Sequence, residues 1–320
     1  MAESRRPAVS SGALAEWCVR WLGAPPAAEL FDAGFLSAVK GLRLTDGREV
    51  VVKVRPGIPR LAGCAAVHRS LWAAGFPCPE PLVDLQPLGG DVASAEALLP
   101  GSDEPPSGDL AARSAAGLAR LIELAPDPAS VPSLKPSPSW TGWDHDEPGL
   151  WPTPEELDAD LNGTAEPRWL SRVAAALRDL LRSHAGTPVI GHGDWHPDNL
   201  RWRGSDLVAV HDWDSVICQP EPAVVGLAAV SFRGIEDSAT MATVDDSAGF
   251  AAAYQRSRGC DWTAADEAAS WAAGLWQRVV DAKVQSLDGG PEQFITRDEA
   301  AARLSRAGLD PRLAADEDAI

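Results

Sequence analysis

Residues 192–214 read His192-Gly193-Asp194-Trp195-His196-Pro197-Asp198-Asn199-Leu200-Arg201-Trp202-Arg203-Gly204-Ser205-Asp206-Leu207-Val208-Ala209-Val210-His211-Asp212-Trp213-Asp214. Two short alternating runs, Leu200 to Arg203 and Leu207 to Val210, flank Gly204-Ser205-Asp206, the composition of a β-hairpin with a tight turn. Folding about Ser205 and Asp206 sets Asn199 and Asp212 at the open ends of the two strands, where opposed Cβ atoms lie roughly 5 Å apart. Their oxygens can then share one cation. An amide oxygen and a carboxylate leave most of an octahedral shell to water and phosphate, the usual way Mg²⁺ is held in phosphoryl-transfer sites. Asp194, on the loop entering the first strand, can face that pair and orient an incoming hydroxyl group. The plainer reading is a polar turn with locally satisfied side chains, and the predicted hairpin context is what separates the two.

His192-Gly193-Asp194, four residues, Asn199, then a hairpin ending in Asp212-Trp213 resembles the catalytic and metal-binding loops of the aminoglycoside phosphotransferase family, a small-molecule branch of the protein-kinase-like fold. The resemblance implies an α+β, two-lobed protein-kinase-like architecture, with a small antiparallel-sheet N-lobe that binds nucleotide and a larger, mainly helical C-lobe. It implies Asp194 as the catalytic aspartate, Asn199 and Asp212 as the two Mg²⁺ ligands, and His192 as a structural position in the loop. ATP is then the phosphoryl donor, and a hydroxyl group on a small molecule the acceptor. Aminoglycosides, macrolides, choline, homoserine and other small alcohols all serve as acceptors in this family, so the resemblance leaves the acceptor open.

Upstream, Leu42 and Leu44 alternate, Asp46-Gly47 reads as a two-residue hairpin turn, and Arg48 to Val54 continues as a β-branched strand. Only Lys40, Lys53, Lys135 and Lys283 are lysine, so Lys53 within Val50-Val51-Val52-Lys53-Val54 stands out. Val50, Val52 and Val54 share one strand face and Lys53 the other, which lets its amine reach from a rigid strand into a cleft and meet nucleotide phosphates. Taken alone it would read as a solvent-facing edge lysine. The segment Asp32 to Ser37, with Gly34 and Ser37, occupies the place of a phosphate-covering turn, though its single glycine departs from the G-x-G-x-x-G of protein kinases.

Leu61 to Ala74 reads as a helix with Leu61, Ala65, His68, Leu71 and Trp72 near one face, ended by Gly75 and Pro77. In the family this helix supplies a glutamate that fixes the strand lysine, yet Leu61 to Gly75 contains no Asp or Glu. Ser94 to Leu99 reads as a short strand ending in Pro100-Gly101 and resembles the hinge between lobes, where backbone groups of Glu96 to Leu98 would meet adenine. The Pro-rich run Pro100 to Ser107 shifts the composition, which places a loose tail at 1–12, the N-lobe at 13–100 and the C-lobe at 101–320. Near the tail, Leu14, Trp17, Cys18, Trp21 and Leu22 have amphipathic-helix spacing and would pack on the first lobe.

The C-terminal part is mostly helical in pattern. Leu118, Leu121 and Ile122 form one stripe, and Val173, Leu177, Leu180, Leu181 and His184 another. Ala223 to Phe232 is apolar all round, and Thr263 can cap a helix running through Trp271, Leu275, Trp276, Val279 and Val280. Between Lys135 and Arg168 there is no Lys or Arg, while Asp144, Asp146, Glu147, Glu155, Glu156, Asp158, Asp160 and Glu166 gather beside Trp140, Trp143 and Trp151. A lid for a cationic substrate and a solvated acidic face both account for this segment.

The chain has 320 residues, 45% of them apolar, enough for two lobes with a large core. No run approaches the ~18 to 20 apolar residues of a membrane span and no signal-peptide core follows the first charges, so a cytoplasmic protein is expected, with no membrane partner. Cys18, Cys64, Cys78, Cys218 and Cys260 are scattered and odd in number, as expected of reduced thiols. A formal net charge of −18 argues against nucleic-acid binding. Nothing in the sequence fixes an oligomeric state.

Two competing readings remain. His192, Asp194, His196, His211 and Asp212 could form a zinc or manganese hydrolase cluster, which leaves Asn199 and Lys53 without roles. The missing helix glutamate could mark a non-catalytic nucleotide-binding module. Asp214 could assist the metal shell or solvate the loop end.

Overall fold

The computed structural model describes residues 6–99, 108–155, 157–164, 167–235, 240–287 and 294–315. The Pro100–Ser107 boundary run, the Pro100-Gly101 end of the hinge, Glu156 and Glu166 lie outside the described residues.

The N-terminal lobe is a five-stranded antiparallel sheet in the order β1-β2-β3-β5-β4, from β1 (Pro26–Ala33), β2 (Ala38–Leu44), β3 (Glu49–Arg55), β4 (Pro81–Leu88) and β5 (Asp91–Ala97). Helix α1 (Ser11–Leu22) starts at a Ser10 side-chain cap and ends at Gly23. Its Leu14, Trp17, Cys18 and Leu22 share one apolar cluster with Val50, Val52 and Val54 of β3, while Trp21 is exposed. The helix therefore begins inside the stretch expected to be a tail. The β2–β3 loop differs from a two-residue turn: Leu44 N–H donates to Arg48 O, and Gly47, at φ 90°, donates to Leu44 O. Thr45, Asp46 and Gly47 form a three-residue loop in which glycine takes the left-handed position.

Helix α2 (Leu61–Ala73) turns its buried face, Cys64, Val67 and Leu71, into the large apolar cluster of the C-terminal lobe instead of the sheet's own cluster. Trp72 lies outside that face and is 42% exposed. The C-terminal lobe adds α3 (Leu110–Leu124), α4 (Arg168–Ser183), α5 (Glu221–Ser231), α6 (Val244–Arg258), α7 (Ala264–Gln285) and α8 (Arg297–Arg306), giving eight α-helices among the described residues. Helix α7 starts at a reciprocal Thr263–Asp266 capping box, which satisfies otherwise orphaned N–H groups.

Every position of α5 from Pro222 to Ser231 is buried, as its all-round apolarity requires. The helix crosses α7 at Gly226 and Gly274, where a Cβ on Gly226 would lie 1.9 Å from Ser270 O. Gly226→Val is expected to cost about 3 kcal/mol or more by overpacking, read as a lowered urea midpoint with unchanged slope.

Four short strands place the loops of interest. β6 (Pro188–His192) pairs with β9 (Val216–Pro220), and β7 (Leu200–Arg203) pairs with β8 (Asp206–Val210). Both pairs are antiparallel and nested in the chain, so the β6–β7 loop (193–199) and the β8–β9 loop (211–215) lie side by side. In the hairpin Arg203 pairs with Asp206, which centres the turn on Gly204-Ser205, one residue earlier than the composition suggests. Gly204 supplies φ 59° there, and the register shifts between Arg201 and Trp202.

Candidate active site

The two adjacent loops are locked together by His192 and Trp213. Burial pushes the His192 imidazole below its usual pKa, leaving it neutral at pH 7. Its Nε2 lies 3.0 Å from His211 O, and its Nδ1 accepts the Asp194 N–H at 3.2 Å, which sets the tautomer. Trp213 stacks on His68 of α2 with ring centroids 5.0 Å apart and meets His192 edge-on at 5.9 Å. One aromatic column thus runs from α2 to both loops.

Asp194 is held by its own loop. Asn199 Nδ2 donates to Asp194 Oδ2 and to Asp194 O, each at 2.9 Å, and His196 Nε2 lies 3.1 Å from the same carboxylate oxygen. Burial opposes the charge of His196, yet the bond to Asp194 and that carboxylate's charge raise its pKa above the usual imidazole value. Because the Asn199 amide nitrogen is committed to Asp194, its Oδ1 is the remaining acceptor.

Asp212 stands beyond the pairing. His211 N–H donates to Asn199 O at 2.9 Å, so Asn199 lies opposite His211, and Asp212 follows in the left-handed region at φ 59°, ψ 54°. Among the described residues it is the sole non-glycine at positive φ. Aspartate tolerates this conformation better than most residues. One Asp212 oxygen pairs with Lys53 Nζ, and the other accepts the Ser215 hydroxyl at 2.8 Å.

Lys53 does project from the sheet face opposite Val50, Val52 and Val54, and it is paired. Its ammonium meets both Asp212 and Asp214, and Arg55, two residues along β3, also meets Asp214. The carboxylate absent from α2 is thus replaced by two from the β8–β9 loop. Asp214 does not solvate the loop end; it is an ion-paired residue with a mostly buried side chain. Burial works against the charge of Lys53, but the two aspartates outweigh it and hold the ammonium above its ordinary pKa. Burial likewise opposes Asp212 and Asp214, and the cations hold both below the usual carboxylate range. With folded pKa values depressed, their contribution to stability is present above the unfolded value of about 3.9 and is lost as pH falls through the folded values.

Two cavities meet here. One, of about 880 Å³, lies between the lobes and is lined by Gly34, Val39, Val51, Lys53, Glu96, Leu98, Asn199 and Asp212. The second, of about 670 Å³, is lined by Gly34, Ser37, Lys53, Trp140, Asp194 and Asp212 and by Val280, Val284 and Phe294. Lys53, Asp212 and Gly34 border both; Asn199 borders only the first and Asp194 only the second. Gly34 sits in the β1–β2 turn at φ 96°, folded so tightly that an added Cβ would lie 2.0 Å from Ser37 O. The expected hinge strand is β5, ending at Ala97. Leu98 N–H donates to Glu49 O at 3.0 Å, so it is not available to a base, whereas the Glu96 side chain reaches 3.7 Å from His211 Nδ1 across the lobes.

A third cavity, about 1150 Å³, adjoins the second at Leu36 and Ser139 and carries Asp144, Asp146, Glu147 and Glu155 on its wall with Lys135 and Arg55. The acidic segment that forms it is anchored by buried Trp143 and Trp151 and by Arg178, whose guanidinium donates to Trp143 O, His145 O and Gly149 O. Trp140 Nε1 donates to Gly193 O at 2.9 Å, fixing the segment to the loop of Asp194.

His192, Asp194, His196, His211 and Asp212 do not form a transition-metal cluster. His192 is committed through both ring nitrogens, His196 faces Asp194, and His211 faces Glu96. Among the described residues no three His, Cys, Asp or Glu side chains gather to hold a metal. Asn199 and Asp212 both border the interlobe cavity, and an amide oxygen and a carboxylate are hard oxygen donors of the kind Mg²⁺ takes with phosphate and water. No helix among the described residues is long and apolar enough to cross a membrane.

No match was found among curated proteins. Solved structures share the fold across nearly the whole chain. Spectinomycin phosphotransferase, with ADP and spectinomycin, is 12% identical at a TM-score of 0.58, covering 96% of this chain and 97% of that one. Amicoumacin kinase, in complex with AMP-PNP, Ca²⁺ and Ami, is 12% identical at a TM-score of 0.60, covering 95% and 94%. An ethanolamine kinase from Plasmodium vivax is 12% identical at 0.56, covering 88% and 82%. Residues 28–267 match the model of the phosphotransferase enzyme family, three quarters of the chain. The chain belongs to that family and is, by that membership, a small-molecule phosphotransferase acting on a hydroxyl group.

Proposed function

We propose that this enzyme transfers the γ-phosphoryl group of ATP, with Mg²⁺, to a hydroxyl of a small cationic molecule. One observation carries the reading: the two cavities meet at Lys53 and Asp212, with Asn199 on the interlobe side and Asp194 on the other. Nucleotide in the first cavity and acceptor in the second would meet at that junction.

In this reading Gly34, Ser37 and Lys53 contact the phosphates, and Glu96 and Leu98 line the base end of the cleft. Asn199 and Asp212 hold Mg²⁺, which when bound neutralises charge on the phosphate oxygens. Asp194 accepts the hydrogen bond, and finally the proton, of the acceptor hydroxyl, while Asn199 Nδ2 and His196 keep its carboxylate in place. Because the transition state of such transfers is loose, alignment and fixed charge supply most of the acceleration, and Asp194 need not be strongly basic.

The acceptor reading rests on the cavity beyond Ser139. Its acidic wall favours an ammonium-bearing group, and the apolar Val280, Val284 and Phe294 with Trp140 favour an apolar face beside the reacting hydroxyl. A coupled ATP-consumption screen over aminoglycosides and amino alcohols, with products identified by mass, tests the function. A phosphorylated amino alcohol is the expected product, and ATP binding with no product across the panel would favour the non-catalytic reading. With a cationic acceptor, Asp146→Asn combined with Glu147→Gln is expected to raise the acceptor KM about fivefold without changing the KM for ATP, the scale of two part-exposed charges.

A further inference from the structure

We propose that Asp214 is the positioning residue for Lys53, performing from a loop of the C-terminal lobe the task that a carboxylate on α2 would otherwise perform. The inference rests on the reading of Lys53 as the phosphate-contacting lysine. Helix α2 presents Leu61, Cys64, Ala65 and His68 to the interlobe cavity, and none is acidic. What this region supplies is Arg60, immediately before α2. Its buried guanidinium donates to the backbone carbonyls of Asp214 and Val216, and the Cys64 thiol lies 3.7 Å from Asp214 O. The backbone that carries Asp214 is therefore clamped, and the carboxylate it presents is shared by Lys53 and Arg55. Those two cations lie on one face of β3 because they are two residues apart.

Asp212 also meets Lys53, yet it is the carboxylate assigned to the cation, and its other oxygen is engaged by Ser215. A carboxylate given to Mg²⁺ holds an ammonium less strongly. Asp214 carries no such duty, so it is the group that keeps Lys53 aimed when nucleotide and metal are bound. The pair also spans the lobes, with Lys53 on the sheet, Asp214 on the loop, and α2 packed in the C-terminal cluster. The aim of Lys53 is consequently set by docking of the sheet onto the helical lobe.

A double-mutant cycle on the full-length enzyme tests this with AMP-PNP and Mg²⁺, read by calorimetric affinity and by the ³¹P resonance of the bound terminal phosphate. Lys53→Met and Asp214→Asn are each expected to weaken binding about tenfold, the scale of one charge-assisted hydrogen bond. The double variant should be no weaker than Lys53→Met, both single variants should shift the resonance alike, and Asp214→Glu should retain most of the affinity. Effects that multiply in the double variant, or an unaltered Asp214→Asn, overturn the role of Asp214. An unaltered Lys53→Met would instead overturn the phosphate-contacting role of the lysine itself. Should Asp214→Asn not fold, Arg55→Gln with Asp214→Asn, which removes one charge of each sign, takes its place in the same cycle.

Discussion

Asp194→Asn is expected to lower phosphoryl transfer about 10²- to 10⁴-fold, the usual contribution of a positioned acid or base, while nucleotide affinity stays at the wild-type level. The substitution is nearly isosteric, and Asp194 borders the second cavity and not the interlobe one proposed for nucleotide, so nucleotide affinity is expected to be unchanged. What is lost is the acceptor oxygen for the hydroxyl proton. One oxygen, Asp194 Oδ2, receives Asn199 Nδ2 at 2.9 Å and faces His196 Nε2 at 3.1 Å, so an asparagine that sets its amide oxygen there keeps both contacts and gives up the other oxygen. Steady-state rates at saturating acceptor, paired with calorimetry of ADP, decide it, and wild-type turnover by the variant would remove Asp194 from the mechanism.

Asp212→Asn is expected to weaken Mg²⁺-dependent ATP binding at least about tenfold, or about 1.4 kcal/mol, with little change in the weaker binding measured in EDTA. Asparagine is chosen because the left-handed backbone at φ 59° would add a strain of its own to an alanine variant. The variant keeps an oxygen and loses the negative charge that a hard divalent cation selects. Lys53 retains Asp214 as a partner, so the fold should survive. Equal affinity in the presence and absence of Mg²⁺ for wild type and variant alike would count against the ligand role.

Much of this was legible because it depends on local period and turn chemistry. Val50, Val52 and Val54 alternate toward α1 and leave Lys53 on the other face. The Gly204 turn sets the hairpin, and the all-apolar run after Ala223 buries itself against α7. Shifts of register were not legible. The irregularity between Arg201 and Trp202 makes Asp206 rather than Leu207 the partner of Arg203, and alternation alone carries no sign of it. The partner of Lys53 was hidden for a different reason. Asp214 sits 161 positions away in the chain, and its burial depends on how the sheet docks on the loop. The acidic segment was ambiguous by charge alone, yet the tryptophans within it, two of them buried, were the signal that it is anchored and lines a cavity.

The central claim is that Asp194, Asn199 and Asp212 serve one reacting group at the mouth of the β7–β8 hairpin. A crystal structure with AMP-PNP and Mg²⁺ tests it most directly. The account predicts one cation bound by the Asn199 amide oxygen and the Asp212 carboxylate and touching the nucleotide phosphates, with the terminal phosphate pointing toward Asp194. A nucleotide seated outside the interlobe cavity, or a cation held without Asn199 and Asp212, would contradict it.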